Sequence, residues 1–190
     1  MSAQPHRDTI TSEEYLAFER QAEERHEFVD GIIYAMSGAS RHHVRIASNL
    51  IMNLGIQFKG RDCGAYASDL RVKVNETDYV YPDVVAVCGE EQFEDGQFDT
   101  LLNPSVIIEV LSKSTQNYDK NKKMALYQNL STVQDYVLIA QDQYRVEHYQ
   151  RKSQNQWLLT VLTESQQILQ LNSVNVEISV QDIYDRVAMP

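Results

Sequence analysis

Tyr79-Val80-Tyr81-Pro82-Asp83-Val84-Val85-Ala86-Val87 is the stretch on which the reading of this chain turns, together with its echo Pro104-Ser105-Val106-Ile107-Ile108-Glu109-Val110-Leu111-Ser112. Both are strand-length runs of β-branched and aliphatic residues, and each carries a single carboxylate inside the apolar run. A carboxylate buried in a strand is costly unless it is paired, hydrogen-bonded or bound to a metal. Two of them on candidate neighbouring strands ask for a common cation, which makes Asp83 and Glu109 the first candidates for function.

Working outward, Ala67 to Val74 alternates, with Leu70, Val72 and Val74 on one face and Asp69, Arg71 and Lys73 on the other, as a half-solvated strand does. The polar turn Asn75 to Asp78 predicts a hairpin between this strand and the Asp83 strand. Gly89 to Asn103 is acidic and polar, and reads as a solvated loop. After the Glu109 strand, a helix is expected from about Gln116 to Asn129. Upstream, Ile46, Leu50, Leu54 and Phe58 recur every four residues and predict one buried face of a helix over about Arg41 to Lys59, closed by Gly60. Asp30-Gly31 marks a turn inside Glu27 to Met36, and Thr11 or Ser12 caps a helix running to about Arg25. Four more strands are expected over 133–140, 143–150, 157–162 and 174–178. The order implies an α+β domain with a mixed, bent central sheet flanked by helices.

At 190 residues the chain fits one domain, and 43% hydrophobic with 23% charged residues is ordinary globular composition. The formal net charge of -10 argues against binding nucleic acid through a broad basic face, while leaving room for local basic patches or divalent cations. Cys63 and Cys88 lack metal-ligand spacing and are too few for a disulfide framework, so they read as buried or incidental thiols. No apolar run approaches membrane-spanning length and the first residues lack a signal-peptide core, which points to a cytoplasmic protein.

Tyr81-Pro82-Asp83, Ile108-Glu109-Val110-Leu111-Ser112 and Tyr118-Asp119-Lys120-Asn121-Lys122-Lys123-Met124-Ala125-Leu126-Tyr127, taken as a set, resemble the Uma-two family of restriction-like endonucleases, of the PD-(D/E)XK superfamily. Glu27, Gly31, His43 and Asp69 also fall where that family carries similar residues. The resemblance runs from about Ser12 to Ala140, giving a nuclease-like core over about 12–140 and a C-terminal strand extension over about 141–190. It implies that Asp83 and Glu109 ligate Mg2+ or Mn2+ and that DNA is the substrate; cutting both strands of a duplex calls for two active sites, so a homodimer is expected. The sequence departs from the superfamily at Leu111, two residues beyond Glu109, where a lysine is usual. Lys123 aligns with a lysine the family carries on the following helix, with Tyr127 one turn later; Lys113 is the rival.

Other residues keep two readings. Lys120, Lys122 and Lys123 also suit a solvated face. Glu27 is an added acidic ligand or a hairpin carboxylate, and His43 contacts phosphate, orients a water, caps or packs. Asp69 lines the sheet near the metal or lies on the surface. Arg41, Arg45 and Lys59 form a phosphate-binding stripe or face solvent. The C-terminal strands and the apolar region of Ile183, Tyr184 and Val187 are candidates for a dimer contact. The alternatives to a metal-dependent nuclease are a dimeric binding or structural protein with relic carboxylates, and an acid–base enzyme acting on carbohydrates or small molecules.

Overall fold

The structure, a computed structural model, describes residues 10–112 and 115–188. Thr11 caps α1 (Ser12–Glu19), its hydroxyl accepting from the Glu14 amide while the Glu14 carboxylate accepts from the Thr11 amide. The helix stops at Glu19, short of the expected Arg25. There the chain turns tightly and the Glu19 carboxylate takes up the His26 amide at 3.0 Å. β1 (His26–Val29) and β2 (Ile32–Ala35) form the expected hairpin about Asp30-Gly31, both residues adopting positive φ. Ser40 caps α2 (Arg41–Phe58) by accepting from the His43 amide, and Gly60 ends the segment at φ +79°.

β3 (Cys63–Ala67), β4 (Arg71–Lys73), β5 (Tyr79–Val80), β6 (Val84–Cys88), β7 (Thr100–Leu101) and β8 (Val106–Leu111) follow. The expected helix over 116–129 is α3 (Gln116–Tyr118), a π-helical turn over Asp119–Lys123, and α4 (Met124–Asn129). β9 (Asp135–Ala140), β10 (Val146–Ser153), β11 (Gln156–Leu162), β12 (Ile168–Leu171), β13 (Val176–Ser179) and α5 (Val180–Ile183) complete the chain. The main sheet has the order β11-β10-β9-β8-β6-β3, parallel only between β8 and β9. A smaller sheet runs β2-β1-β5-β4-β7, and β12 pairs with β13.

Alternation sorts the main sheet into two cores. Val84, Ala86, Val106, Ile108 and Val110 pack with Ile46, Leu50, Leu54 and Phe58 of α2, as its four-residue period predicts. Val85, Val87, Ile107 and Leu111 turn the other way, against Leu126 and Tyr127 of α4 and Val72, Val80 and Leu101 of the small sheet. Glu109 shares the parity of Ile107 and Leu111, so it sits in this second core.

Several expectations are corrected. Tyr79 to Val87 is not one strand and makes no hairpin as a unit. β5 pairs with β4 in the small sheet and β6 pairs with β3 and β8 in the main one, because Pro82 has no amide to continue a ladder. Arg71 is 2% exposed, since α1 and the 89–103 segment cover the face expected to be solvated. That segment is more than a loop: it contributes β7 and buries Leu101, while Asp95 and Asp99 bind Arg20 and Glu94 binds Lys73. Cys63 and Cys88 are partners in the β3–β6 register and form a disulfide, a pairing that their 25-residue separation does not signal. Ile183, Tyr184 and Val187 lie in the α2 core, where the Asn49 amide donates to the Ile183 and Asp185 carbonyls, so they offer no contact surface. Among the described residues, no helix is long and apolar enough to cross a membrane.

Candidate active site

The break at Tyr81-Pro82-Asp83 puts Asp83 at the mouth of β6, beside the middle of β8. Val84 pairs with Ile108 there, and the two strands clamp each other's carboxylates. The Val110 amide donates to Asp83 Oδ2 at 2.7 Å, and the Asp83 amide donates weakly to Glu109 Oε2 at 3.4 Å. The two carboxylates singled out by the sequence are thereby held on adjacent strands by main-chain groups.

Four other elements converge on this pair. From β1, Glu27 accepts the Tyr81 amide at 3.1 Å. From the first turn of α2, His43 Nε2 lies 2.9 Å from Asp83 Oδ1. From the π turn and α4, Lys123 Nζ donates to Glu109 Oε1 at 3.0 Å and pairs with Glu27 at 2.8 Å, while the Tyr127 hydroxyl donates to the same Glu109 oxygen at 2.9 Å. Asp119, four residues before Lys123, completes the group at 4.0 Å. The π turn adds a residue to the helical path and brings Asp119 and Lys123 into the interior, a device common at functional sites.

Charge in this cluster is out of balance. Glu27, Glu109, Asp119 and Lys123 are all buried, and Asp83 lies beside them. Burial raises the Glu109 carboxyl well above its ordinary value; Lys123 opposes that, and Asp83, Asp119 and Glu27 push it further up. Asp119 is raised for the same first reason, against the pull of Lys123. Burial also acts against the Lys123 charge, but Glu109, Glu27 and Asp119 outweigh it and lift the ammonium well above its usual range. Lys123 is therefore a fixed cation and a hydrogen-bond donor. Burial lowers His43, yet its hydrogen bond to Asp83 and the charges of Asp83 and Asp119 leave it raised.

The donor set suits a hard divalent cation. Lys123 and Tyr127 occupy Glu109 Oε1, whereas Glu109 Oε2 has only a long main-chain contact and each Asp83 oxygen accepts one partner. Three carboxylate oxygens thus keep acceptor capacity. Among the described residues, no group of three or more His, Cys, Asp or Glu is arranged to hold a metal ion by itself. Two carboxylates with the remaining positions left to water and substrate oxygens is a common way for Mg2+ to bind. The buried Tyr118 hydroxyl, on a ring 5.8 Å from Lys123 Nζ, has no hydrogen-bond partner among the described residues, so the cluster keeps a polar group for an incoming water or ligand.

The sequence matches the Uma2 family, described as "Putative restriction endonuclease", over residues 12–181. The chain belongs to the Uma2 family. The match runs well past Ala140, so the Uma2 pattern includes the strands that extend the main sheet. Two curated relatives come from Synechocystis sp. (strain ATCC 27184 / PCC 6803 / Kazusa). "Uncharacterized protein sll1609" is 42% identical over 154 residues, covering 80% of this chain and 87% of that protein. "Uncharacterized protein slr1290" is 34% identical over 180 residues, covering 94% and 93%. Among solved structures, one described as "a putative nuclease belonging to DUF820" from Anabaena variabilis ATCC 29413 superposes with a TM-score of 0.78. It covers 94% of this chain and 99% of its own at 19% identity, which supports the nuclease-like α+β fold.

Of the residues marked in the sequence, Asp83, Glu109, Lys123, Glu27, His43 and Tyr127 meet at this Uma2 site. Asp69 does not: its side chain is 83% exposed in the turn before β4, paired with Arg25. Lys113 lies outside the described residues. Asp119 escaped the sequence reading, though its four-residue spacing to Lys123 on one helical face was the available signal.

Proposed function

We propose that this Uma2 protein is a divalent-metal-dependent endonuclease that hydrolyses phosphodiester bonds of DNA, with Asp83 and Glu109 as the Mg2+ or Mn2+ ligands. One observation carries the reading: Asp83 and Glu109 are clamped side by side by main-chain amides, and the single buried ammonium beside them, Lys123, is already shared between Glu109 and Glu27. The metal, when bound, supplies a more acidic water and neutralises charge on the phosphate.

The chain's own residues supply the rest. Lys123 stays protonated, so it acts on developing negative charge as a donor and leaves proton abstraction to another group. Lys123 and Tyr127 together fix the Glu109 rotamer, and His43 fixes that of Asp83. Leu111, where the superfamily usually has lysine, is no obstacle to this chemistry, because the ammonium reaches Glu109 from the π turn instead. Cutting both strands of a duplex needs two such sites, and a twofold dimer is the simplest source of them.

A plasmid-nicking assay with Mg2+ or Mn2+ tests the reading. Wild-type protein is expected to nick, chelation to stop it, and Asp83→Ala to be inactive while folded. Equal nicking by Asp83→Ala and Glu109→Ala would remove the site.

A further inference from the structure

Beyond the end of β8 lies a second feature that the carboxylate cluster does not use. A cavity of about 610 Å³ opens between the first turn of α2, the carboxyl ends of β8 and β9, and the start of the helix that carries Lys123. Arg41, Lys120 and Arg145 line it, with Asp142 the one acidic residue in its wall. In a chain of net charge -10, that is a local reversal of sign.

The cations are held in place. Lys120 and Arg145 both donate to Glu147 Oε1, each at 2.8 Å, so one carboxylate answers two positive charges and leaves one in excess. Arg41 has no ion-pair partner among the described residues. The floor is tied to the candidate active site. Gln141 donates to the Leu111 carbonyl at 2.9 Å and accepts from Ser40, the cap of α2, so the elements bearing Glu109 and His43 meet at this wall. Arg41 stands two residues before His43, Leu111 two after Glu109, and Lys120 three before Lys123.

We infer that this cavity is an anion subsite that takes a backbone phosphodiester flanking the one to be cut, through Arg41, Arg145 and Lys120. The lining has no Phe, Tyr or Trp, and His42 is its one ring, so it lacks the successive stacking platforms by which single-stranded bases are gripped. Contacts of this kind place the backbone without reading sequence. The identity of the anion rests on the nuclease reading, but binding to the cavity does not require cleavage.

The test is fluorescence anisotropy of a labelled duplex oligonucleotide with the full chain in chelator, titrated with salt, beside plasmid nicking with Mn2+. Each lost phosphate contact lowers the slope of log K against log salt by roughly 0.9, so Arg41→Gln/Arg145→Gln is expected to lower it by roughly 1.8. Asp142→Asn, which removes the opposing charge, should tighten binding. Arg145→Lys should retain most of the slope, which separates charge from folding. An unchanged slope in the double variant, weaker binding by Asp142→Asn, or no binding by wild-type protein overturns the subsite. Loss of slope in the double variant without any nicking by the wild type keeps the subsite and removes the nuclease reading. Nicking with an unchanged slope does the reverse.

Discussion

Two clusters of buried charge in this molecule look alike in a list of contacts and differ in balance. Around Arg71, the guanidinium donates to Thr100 and to the Tyr81 hydroxyl, which in turn donates to Glu19, also buried. Arg71 Nη2 lies 2.9 Å from Asp99 but out of line for a hydrogen bond, so that contact is one of charge alone. The rings of Tyr15, Tyr79 and Tyr81 surround the cation within 6.0 Å. Arg71 and Arg20 face Asp99 and, through Tyr81, Glu19, so the charges come close to balance and each of these carboxylates already has partners, although Arg71 Nη2 itself makes no hydrogen bond. Around Lys123, one buried cation faces Glu27, Glu109 and Asp119, with Asp83 at the edge. A cluster near balance fits a structural role, whereas surplus formal negative charge and carboxylate oxygens with spare acceptor capacity are what support the proposal that the Lys123 cluster takes a cation.

The largest effect that could break this contrast is on activity. Glu109→Ala should cost about a thousandfold or more in turnover, the scale of losing several kcal/mol of metal assistance, with the circular dichroism spectrum unchanged. Nearly as large, and on stability alone, is Arg71→Met: it takes the donor from the buried Thr100 and Tyr81 hydroxyls and the buried cation from beside Asp99, and should cost about 3 kcal/mol in urea unfolding. Should Arg71→Met prove neutral, the balanced cluster would not be the structural one. Next comes Lys123→Met, expected to lower turnover roughly a hundredfold, with Mn2+ affinity less affected, in nicking kinetics beside calorimetry. A loss confined to metal affinity would make Lys123 a spectator of the chemistry.

The smallest effect lies at the rim of the Arg71 cluster. The hydrogen bond from Arg20 draws Asp99 down to about 2, although burial acts the other way. A carboxyl lowered on folding stabilises the protein above its ordinary value of about 3.9, and that contribution is lost as pH falls toward 2. Melting temperatures of wild type and Arg20→Ala should therefore differ near neutrality and converge on acidification. The difference should be small, because the pair is partly solvated. Convergence at high pH instead would reverse the sign and exclude the assignment.

The two clusters were unequally legible in the sequence, for a physical reason. Glu109 and Asp83 stood out because a carboxylate inside an apolar strand is costly wherever the strand ends up, and this needs no tertiary information. α2 was equally plain, its four-residue period being fixed by the face it buries. The resemblance carried Lys123, Tyr127, His43 and Glu27, whose convergence depends on contacts distant in sequence. Arg71 was misread because alternation says which residues share a face and nothing about what later covers that face. The split at Pro82 was present as a missing donor but was outweighed by the apolar run around it. The Cys63–Cys88 bond and the burial of Tyr184 and Val187 depend on strand register and on how the C-terminal segment docks, which no local pattern encodes.

The central claim is that the Lys123 cluster carries surplus negative charge waiting for a divalent cation, and calorimetric titration of Mn2+ into the purified chain tests it most directly. The account predicts saturable binding by wild type and by Asp69→Asn, and its loss in Asp83→Ala. No binding by the wild type, or equal binding by Asp83→Ala, would contradict it.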